Sequence, residues 1–147
     1  MSANIDNTRK AYAAFGSGDI ATLLELIAPD CSWHVGGRSP LAGDYIGHDQ
    51  ILGYFGKLAE MTDGTFTATL DDVGELAGGM VTSLVTLRGT RNGVTIETRS
   101  MQLAKNNAAG QVQECWWFEE DAYAADEFFT DQQIVLPGQQ VKATLPV

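Results

Sequence analysis

The sequence predicts an α+β fold in which three N-terminal helices pack on one face of a strongly curved, mainly antiparallel sheet. Apolar residues repeat at helical spacing in the first part of the chain, whereas residues after 64 alternate and are rich in β-branched and aromatic types. The chain has 147 residues, which is the size of one ordinary domain. We therefore expect a single domain over 1–130, followed by a C-terminal tail over 131–147.

Two short helices open the chain. The first is expected over 5–15, with Asn4 or Asp6 as its cap, and Gly16 and Gly18 end it. Asp19 then caps a second helix, which Pro29 is expected to end. Their apolar positions are Ile5, Ala11, Tyr12 and Phe15 in the first helix and Ile20, Leu23, Leu24 and Ile27 in the second.

A short strand, a long loop and a third helix come next. The stretch CSWHV at 31–35 predicts the strand, and the turn formers of GGRSPLAGDYIG predict the loop. The third helix is expected over 48–61, because its apolar residues fall on one face. They are Ile51, Leu52, Phe55, Leu58 and Ala59.

The second half of the chain predicts a meander of four long antiparallel strands. They are expected over 65–76, 80–91, 94–105 and 111–120, with a helical turn or short helix over 121–129. Asn92-Gly93 is a strong signal for a two-residue hairpin turn. Strands of this length twist and bend, and a sheet that bends far enough encloses space between itself and the helices.

Composition excludes several functional classes. The formal net charge is −10 and the nine Lys and Arg residues are scattered, which argues against binding to nucleic acid. No segment approaches the roughly 20 apolar residues of a membrane helix, and the N-terminus has no apolar signal core, so we expect a cytoplasmic protein that does not bind membranes. The sequence contains no glycine-rich phosphate loop, no GxSxG and no metal-ligand spacing, so no cofactor or metal is expected.

The order of elements and three segments resemble the SnoaL-like, polyketide-cyclase-related branch of the nuclear-transport-factor-2-like superfamily, whose fold is cone-shaped. The segments are YAAFGSGDIATLLELIAPDCSW, WHVGGRSPLAGDYIGHDQILGYFGKL and GQVQECWWFEEDAYAADEFF. The resemblance covers residues 5–130. It implies the fold more specifically than the activity, because the superfamily contains isomerases, cyclases, epoxide hydrolases, dehydratases and proteins that are not enzymes.

Two mechanisms within that superfamily do not carry over to these residues. The ketosteroid isomerase set needs a tyrosine, a carboxylate base and a buried aspartate, and the resemblance places Ala11, Val35 and either Met101 or Gln102 at those positions. An epoxide hydrolase of the limonene type needs an Asp-Arg-Asp set around water. Arg99 is present, but Glu97 is the only acid near it in sequence.

His34 is the first candidate catalytic residue. Its ordinary pKa near 6.5 suits proton transfer at neutral pH, and the expected cone would have this residue at its mouth. The alternatives are a histidine bonded to backbone at the end of the strand or one that faces the surface. A slip of one residue would turn His34 outward and Trp33 and Val35 inward.

The last strand and the neighbouring loop supply the other candidates. Glu119 is a candidate acid or base if it is buried, and Arg99 would face a carboxylate or an anionic ligand group if it points inward. The resemblance implies that Cys115, Trp117 and Glu119 share the pocket side, although either Trp116 or Trp117 could face inward. The candidate substrate-binding residues are Tyr12, Trp33, Arg38, Tyr45, Tyr54, Cys115 and Trp117.

These observations favour a cofactor-independent protein with an apolar pocket for a small ring-containing molecule. If it is an enzyme, proton transfer is the expected chemistry, of the isomerase, cyclase or hydratase and hydrolase type. The alternative is a ligand-binding or dimerisation module without catalysis. A homodimer through the outer face of the sheet is expected, because one of the two adjacent tryptophans must face outward and needs cover.

Overall fold

A computed structural model describes residues 2–130 and has the predicted order of elements, with one additional strand. The predicted C-terminal tail, residues 131–147, lies outside the described residues. The helices are α1 (Ala3–Ser17), α2 (Ile20–Glu25), α3 (Gly47–Met61) and α4 (Ala122–Phe128). The strands are β1 (Ile27–Val35), β2 (Gly43–Ile46), β3 (Thr67–Glu75), β4 (Met80–Arg91), β5 (Val94–Asn106) and β6 (Val112–Glu119).

The α+β class is confirmed, and the strands form one curved, open sheet of six strands in the order β2-β1-β6-β5-β4-β3. The four predicted strands form the antiparallel meander β3 to β6. Asn92 and Gly93 both have positive φ, at 52° and 80°, as a two-residue hairpin with a primed turn requires. Register shifts in β3–β4, β5–β6 and β1–β6 are irregularities of the kind that bend a sheet.

Two predictions near the second helix are wrong. Helix α2 ends at Glu25, and Pro29 lies inside β1, which begins at Ile27 and not at Cys31. The reason is a parallel pairing with β6, in which the Val112 N–H donates to the Leu26 carbonyl. Because that partner lies more than 80 residues away in sequence, local propensity does not reveal it.

Capping and loop structure also differ from the prediction in detail. Ser2, and not Asn4 or Asp6, caps α1 by accepting a hydrogen bond from the Ile5 N–H, whereas Asp19 caps α2 as predicted. Strand β2 lies within the predicted loop and pairs antiparallel with β1. The hydrogen bond between His48 Nε2 and the Ile27 carbonyl, at 2.7 Å, then anchors the start of α3 to the start of β1.

The hydrophobic core lies between the helices and the inward face of the sheet. Its buried members include Leu23, Ile27, Cys31, Ile51 and Cys115. Aromatic rings extend this core, because Phe15 and Trp33 both make edge-to-face contacts with Phe55, with ring centroids 5.2 and 5.5 Å apart. The same three rings also line the candidate site.

Candidate functional site

An inner chamber lies between α1, α3 and the inward face of the sheet. Its walls are mainly apolar, and its volume is about 90 Å³. Alternation along β1 and β6 places Trp33, Val35 and Trp117 on this inward face. Sites for small organic molecules in proteins are typically concave and lined by such side chains.

An outer chamber of about 290 Å³, measured in the same way, adjoins the first between the loop after β1, the end of β6 and α4. The two chambers share part of their walls, including Tyr54, Trp117 and Glu119. Asp126 of α4 fastens the loop, because its carboxylate accepts hydrogen bonds from the backbone N–H groups of Arg38 and Ser39 at 2.8 and 3.1 Å. Sequence reasoning did not identify Asp126, and no local signal marks it.

Glu119 is the titratable group at the junction of the chambers. Its side chain accepts a short hydrogen bond from the Ser100 hydroxyl, across the paired positions of β5 and β6. Burial raises the pKa of the Glu119 carboxyl, and the nearby charge of Asp126 raises it further, while the Ser100 hydrogen bond opposes both. A carboxyl with a raised pKa can hold a proton, or take one up, closer to neutral pH than an exposed glutamate can.

Two tyrosines contribute polar groups to the inner chamber. The Tyr12 hydroxyl donates to Gln102 Oε1 at 2.5 Å, whereas the Tyr54 hydroxyl has no hydrogen-bond partner among residues 2–130. Burial raises the pKa of both phenols, so both stay protonated and remain hydrogen-bond donors. Gln102, only 6% exposed, was missed as a wall residue. The signal was a polar residue on the alternation that also buries Ser100 and Ala104.

Trp33 and Trp117 form a continuous aromatic wall, with ring centroids 6.0 Å apart. Both indole Nε1 atoms are shielded from solvent and have no partner within the described part of the chain. Trp33 is 5% exposed. The structure therefore brings Tyr12, Trp33, Tyr54, Trp117 and Glu119 together around the chambers.

Cys115 and Tyr45 lie behind this wall. Cys115 shares the inward face with Trp117 and Glu119, as expected, but it is fully buried in the core rather than on the surface of the chamber. Burial raises the pKa of its thiol and raises that of Cys31 to about 12, so neither is a thiolate at neutral pH. The Tyr45 ring packs on Tyr54 at 4.8 Å, and its hydroxyl donates to the Leu41 carbonyl.

The expectation that His34 faces the pocket is wrong. Because Trp33 and Val35 face inward, His34 lies on the outer face of β1, where its ring stacks on Trp116 with centroids 5.7 Å apart. Its Nδ1 lies 2.7 Å from Asp44 and its Nε2 lies 2.8 Å from Glu114. The hydrogen bonds to Asp44 and Glu114 raise the pKa of the imidazole.

The two candidate arginines also lie away from the chambers. Arg99 is exposed on the outer face of β5, because its neighbour Ser100 is buried on the inward face. Glu97, the acid expected near Arg99, instead pairs with Arg88 at 3.4 Å. The Arg38 side chain is exposed, and only its backbone N–H takes part in the loop that borders the outer chamber.

No group of three or more His, Cys, Asp or Glu side chains within residues 2–130 is arranged to hold a metal ion. None of the helices in that range is long and apolar enough to cross a bilayer.

Comparison with known proteins identifies the family. The SnoaL-like domain family matches residues 8–122. The uncharacterized protein Rv0034 of Mycobacterium tuberculosis is 35% identical over 127 residues, which is 86% of this chain and 96% of that protein.

Solved structures agree with this assignment. Bal32a, from a soil-derived mobile gene cassette, is 36% identical with a TM-score of 0.82, and the match covers 86% of this chain and 95% of that one. TerC, co-crystallized with polyporic acid, shares the fold at 22% identity, with a TM-score of 0.77 over 87% of this chain and 98% of TerC. The chain belongs to the SnoaL-like family, within the nuclear-transport-factor-2-like superfamily.

Proposed function

We propose that this protein binds a small ring-containing molecule in the two joined chambers and that Glu119 exchanges a proton with it. The observation that carries the proposal is the position of Glu119, a carboxyl with a raised pKa where two largely apolar chambers meet. Buried acids of this kind are typical of sites that perform acid–base chemistry. The flat indoles of Trp33 and Trp117 suit a planar guest.

The proposed chemistry is proton abstraction from a carbon next to a carbonyl group. Ionised Glu119 takes the proton, so the C–H bond breaks and its electron pair moves into an enolate whose negative charge lies on the carbonyl oxygen. The free Tyr54 hydroxyl is the proposed donor to that oxygen, and its raised pKa keeps it protonated. Glu119 then returns the proton either to the same carbon, which gives exchange alone, or to another carbon of a conjugated enolate, which completes an isomerisation without any co-reactant.

The closeness of Tyr54 and Glu119 supports their proposed roles as donor and base. Tyr54 and Glu119 both border both chambers, and the negative charge of Glu119 contributes to the raised pKa of Tyr54. His34 is not part of the proposal, because both of its ring nitrogens are bonded to carboxylates on the other face of the sheet.

Exchange of α-protons with solvent tests the proposal directly. The probe is 2-tetralone, a bicyclic ketone, incubated in D₂O with the protein while deuterium incorporation is followed by NMR. We expect the wild type to accelerate exchange and Glu119→Gln to lose about 10²- to 10⁴-fold of that acceleration. Glu114→Gln is the matched control, because Glu114 lies on the same strand but faces the other way. An unchanged rate in Glu119→Gln would refute the role of Glu119.

A second candidate function is a binding or assembly module without catalysis. The outer face of the sheet favours it, because Phe118 and Leu84 are 48% and 39% exposed there and Trp116 lies on the same face of β6 as Phe118. We propose that a second copy of the chain covers this face. Light scattering should then report a dimer, and Phe118→Glu should shift it to a monomer, whereas a monomeric wild type would contradict the proposal.

A further inference from the structure

Asp126 and Glu119 are the acidic side chains among residues 2–130 that line the outer chamber. They come from different elements, since Glu119 ends β6 and Asp126 lies in α4. Negative charges that share one cavity oppose each other's ionisation. The charge of Asp126 accordingly adds to burial in raising the pKa of the Glu119 carboxyl.

The loop between β1 and β2, residues 36–42, holds the Asp126 carboxylate in one position. A single oxygen, Oδ1, accepts the backbone N–H groups of both Arg38 and Ser39, at 2.8 and 3.1 Å. Gly37 makes room for this oxygen, because a Cβ atom there would lie 2.6 Å from Asp126 Oδ1. The φ of Gly37 is 98°, which also favours glycine. The loop is therefore shaped around the carboxylate.

Helix α4 is held at both of its ends as well. Asp121 caps its start by accepting a hydrogen bond from the Ala124 N–H at 3.0 Å. At its end, Arg91 of β4, only 8% exposed, donates from Nη1 to the Phe128 carbonyl at 3.0 Å. These contacts and the loop together fix the place of Asp126 beside the outer chamber.

The other groups that surround Glu119 do not supply a fixed negative charge. Tyr12 of α1 and Tyr54 of α3 line the inner chamber, and burial raises the pKa of both phenols, so both stay neutral. Ser100 of β5 donates a hydrogen bond that favours the ionised form of Glu119. No Lys, Arg or His side chain among the described residues lines either chamber. Asp126 is therefore the charged neighbour that can tune Glu119.

We propose that Asp126 is a positioning residue for proton exchange at Glu119. Held in place by the β1–β2 loop, its negative charge on the wall of the outer chamber opposes the ionisation of Glu119. It thereby sets the pH at which Glu119 becomes a base. The proposal rests on the proton exchange proposed above, and it links the loop to the chemistry, because the loop fixes where the charge of Asp126 lies.

The pH profile of α-proton exchange in 2-tetralone tests this role. Asp126→Asn removes the charge, while the amide oxygen can still accept the two loop N–H groups. Because ionised Glu119 is the proposed base, the exchange rate rises with pH as Glu119 loses its proton. We expect this acidic limb of the profile to lie at lower pH in Asp126→Asn than in the wild type, with KM close to the wild-type value.

Asp121→Asn is the matched control. It removes one negative charge from the start of the same helix, and asparagine can keep the capping bond to the Ala124 N–H. Asp121 lines neither chamber. The profile of this variant should therefore coincide with that of the wild type.

Asp126→Ala is a second variant that separates the charge from the loop bonds. It removes both, so the acidic limb should shift in the same direction as in Asp126→Asn. KM should also rise by about threefold to tenfold, the range of one net hydrogen bond, because the loop that borders the outer chamber is no longer held. NMR titration of the Glu119 carboxyl carbon makes the same comparison without a substrate. Its midpoint should be lower in both Asp126 variants than in the wild type.

The outcomes separate this inference from the proposed function. Suppose that the wild type accelerates exchange through Glu119, but that the acidic limb and the Glu119 titration are the same in Asp126→Asn. The role of Asp126 is then overturned while the role of Glu119 stands. An equal shift in Asp121→Asn would also overturn it, because the effect would be one of net charge. If the wild type does not accelerate exchange, the proposed function fails and the positioning role fails with it.

Discussion

Glu119 on the inward face of the sheet and His34 on its outward face both have a raised pKa, and the causes are opposite. On the inward face, burial raises the pKa of Glu119, so the protein favours the neutral carboxyl. On the outward face, Asp44 and Glu114 raise the pKa of His34, so the protein favours the charged imidazolium. A raised pKa by itself therefore does not identify a reactive group, and the cause of the shift has to be read from the surroundings.

Because of this difference, we assign acid–base chemistry to the inward face of the sheet and a structural role to the outward face. Both ring nitrogens of His34 are bonded to carboxylates, so no free nitrogen is left for a substrate. Glu119 has one hydrogen-bond donor, Ser100, and borders open space in both chambers. The inward carboxyl is accessible to a guest, whereas the outward imidazole is held between its partners.

The largest expected effect comes from removing an indole on each face. Trp33→Ala should lower the free energy of unfolding by about 3–5 kcal/mol, because a large buried ring that contacts Phe55 and Trp117 is lost. Trp116→Ala should cost about 1 kcal/mol, because that ring is partly exposed and stacks on His34. Urea denaturation of both variants measures the difference, and equal losses would mean that the outer face is as tightly packed as the core.

The fold could be predicted from the sequence wherever the signal was local. The helical periodicity of α3, the Asp19 cap and the Asn92-Gly93 turn each depend on residues close in sequence, and the structure has all three. The start of β1 and the existence of β2 could not be predicted, because both depend on pairing. Strand β1 starts where β6 pairs with it, and β2 exists because β1 accepts it at the sheet edge.

The candidate site was predictable only in part, for a related reason. The alternation Cys31, Trp33, Val35 is apolar and implied that His34 faces outward. The sequence analysis nevertheless placed His34 at the mouth of the cone, because this residue lies at the end of the predicted strand. The register of β6 then fixes Trp117 and Glu119 as inward and Trp116 as outward. The contact of Asp126 with the loop joins residues 87 or more positions apart, and no pattern in the sequence encodes it.

The second prediction concerns the stability of Glu119→Gln as a function of pH. The pKa of Glu119 is higher in the folded protein than in the unfolded chain, so the folded state holds the proton more tightly. The stabilisation from the bound proton is complete below about pH 4.3 and is lost as pH rises through the folded-state pKa. The substituted glutamine side chain stays neutral and can still accept the Ser100 hydrogen bond. The variant therefore keeps its stability over the pH range in which the wild type loses stability as Glu119 ionises.

Glu119→Gln should therefore equal the wild type in stability near pH 4 and exceed it at pH 8. Urea denaturation at both pH values measures this difference, with Glu114→Gln as a control on the outer face. A variant that is less stable than the wild type at pH 8 would show that the ionised carboxylate is favoured in place, and Glu119 would then be a structural anion rather than a poised acid.

The smallest expected effect is that of His34→Gln. This variant should be less stable than the wild type at low pH, whereas Glu119→Gln should be more stable than the wild type at high pH. The folded-state pKa of His34 is also raised, so the stabilisation from the imidazolium is complete below about pH 6.5 and is lost as pH rises through the folded-state pKa. His34→Gln removes the charge and retains a hydrogen-bonding side chain. Because the imidazole is 27% exposed and Asp44 is 70% exposed, the variant should lose only about 0.5–1 kcal/mol at pH 6.

As the pH rises through the raised folded-state pKa of His34, the imidazole loses its proton, and the His34→Gln variant should approach the stability of the wild type. The proton-exchange rate of 2-tetralone should be unchanged in this variant over the same pH range, because its position is separated from the chambers by the sheet. Added salt should shrink the difference at pH 6, since an exposed ion pair is screened. A variant that loses exchange activity while keeping its stability would return catalysis to the outer face and reverse the contrast between the two groups.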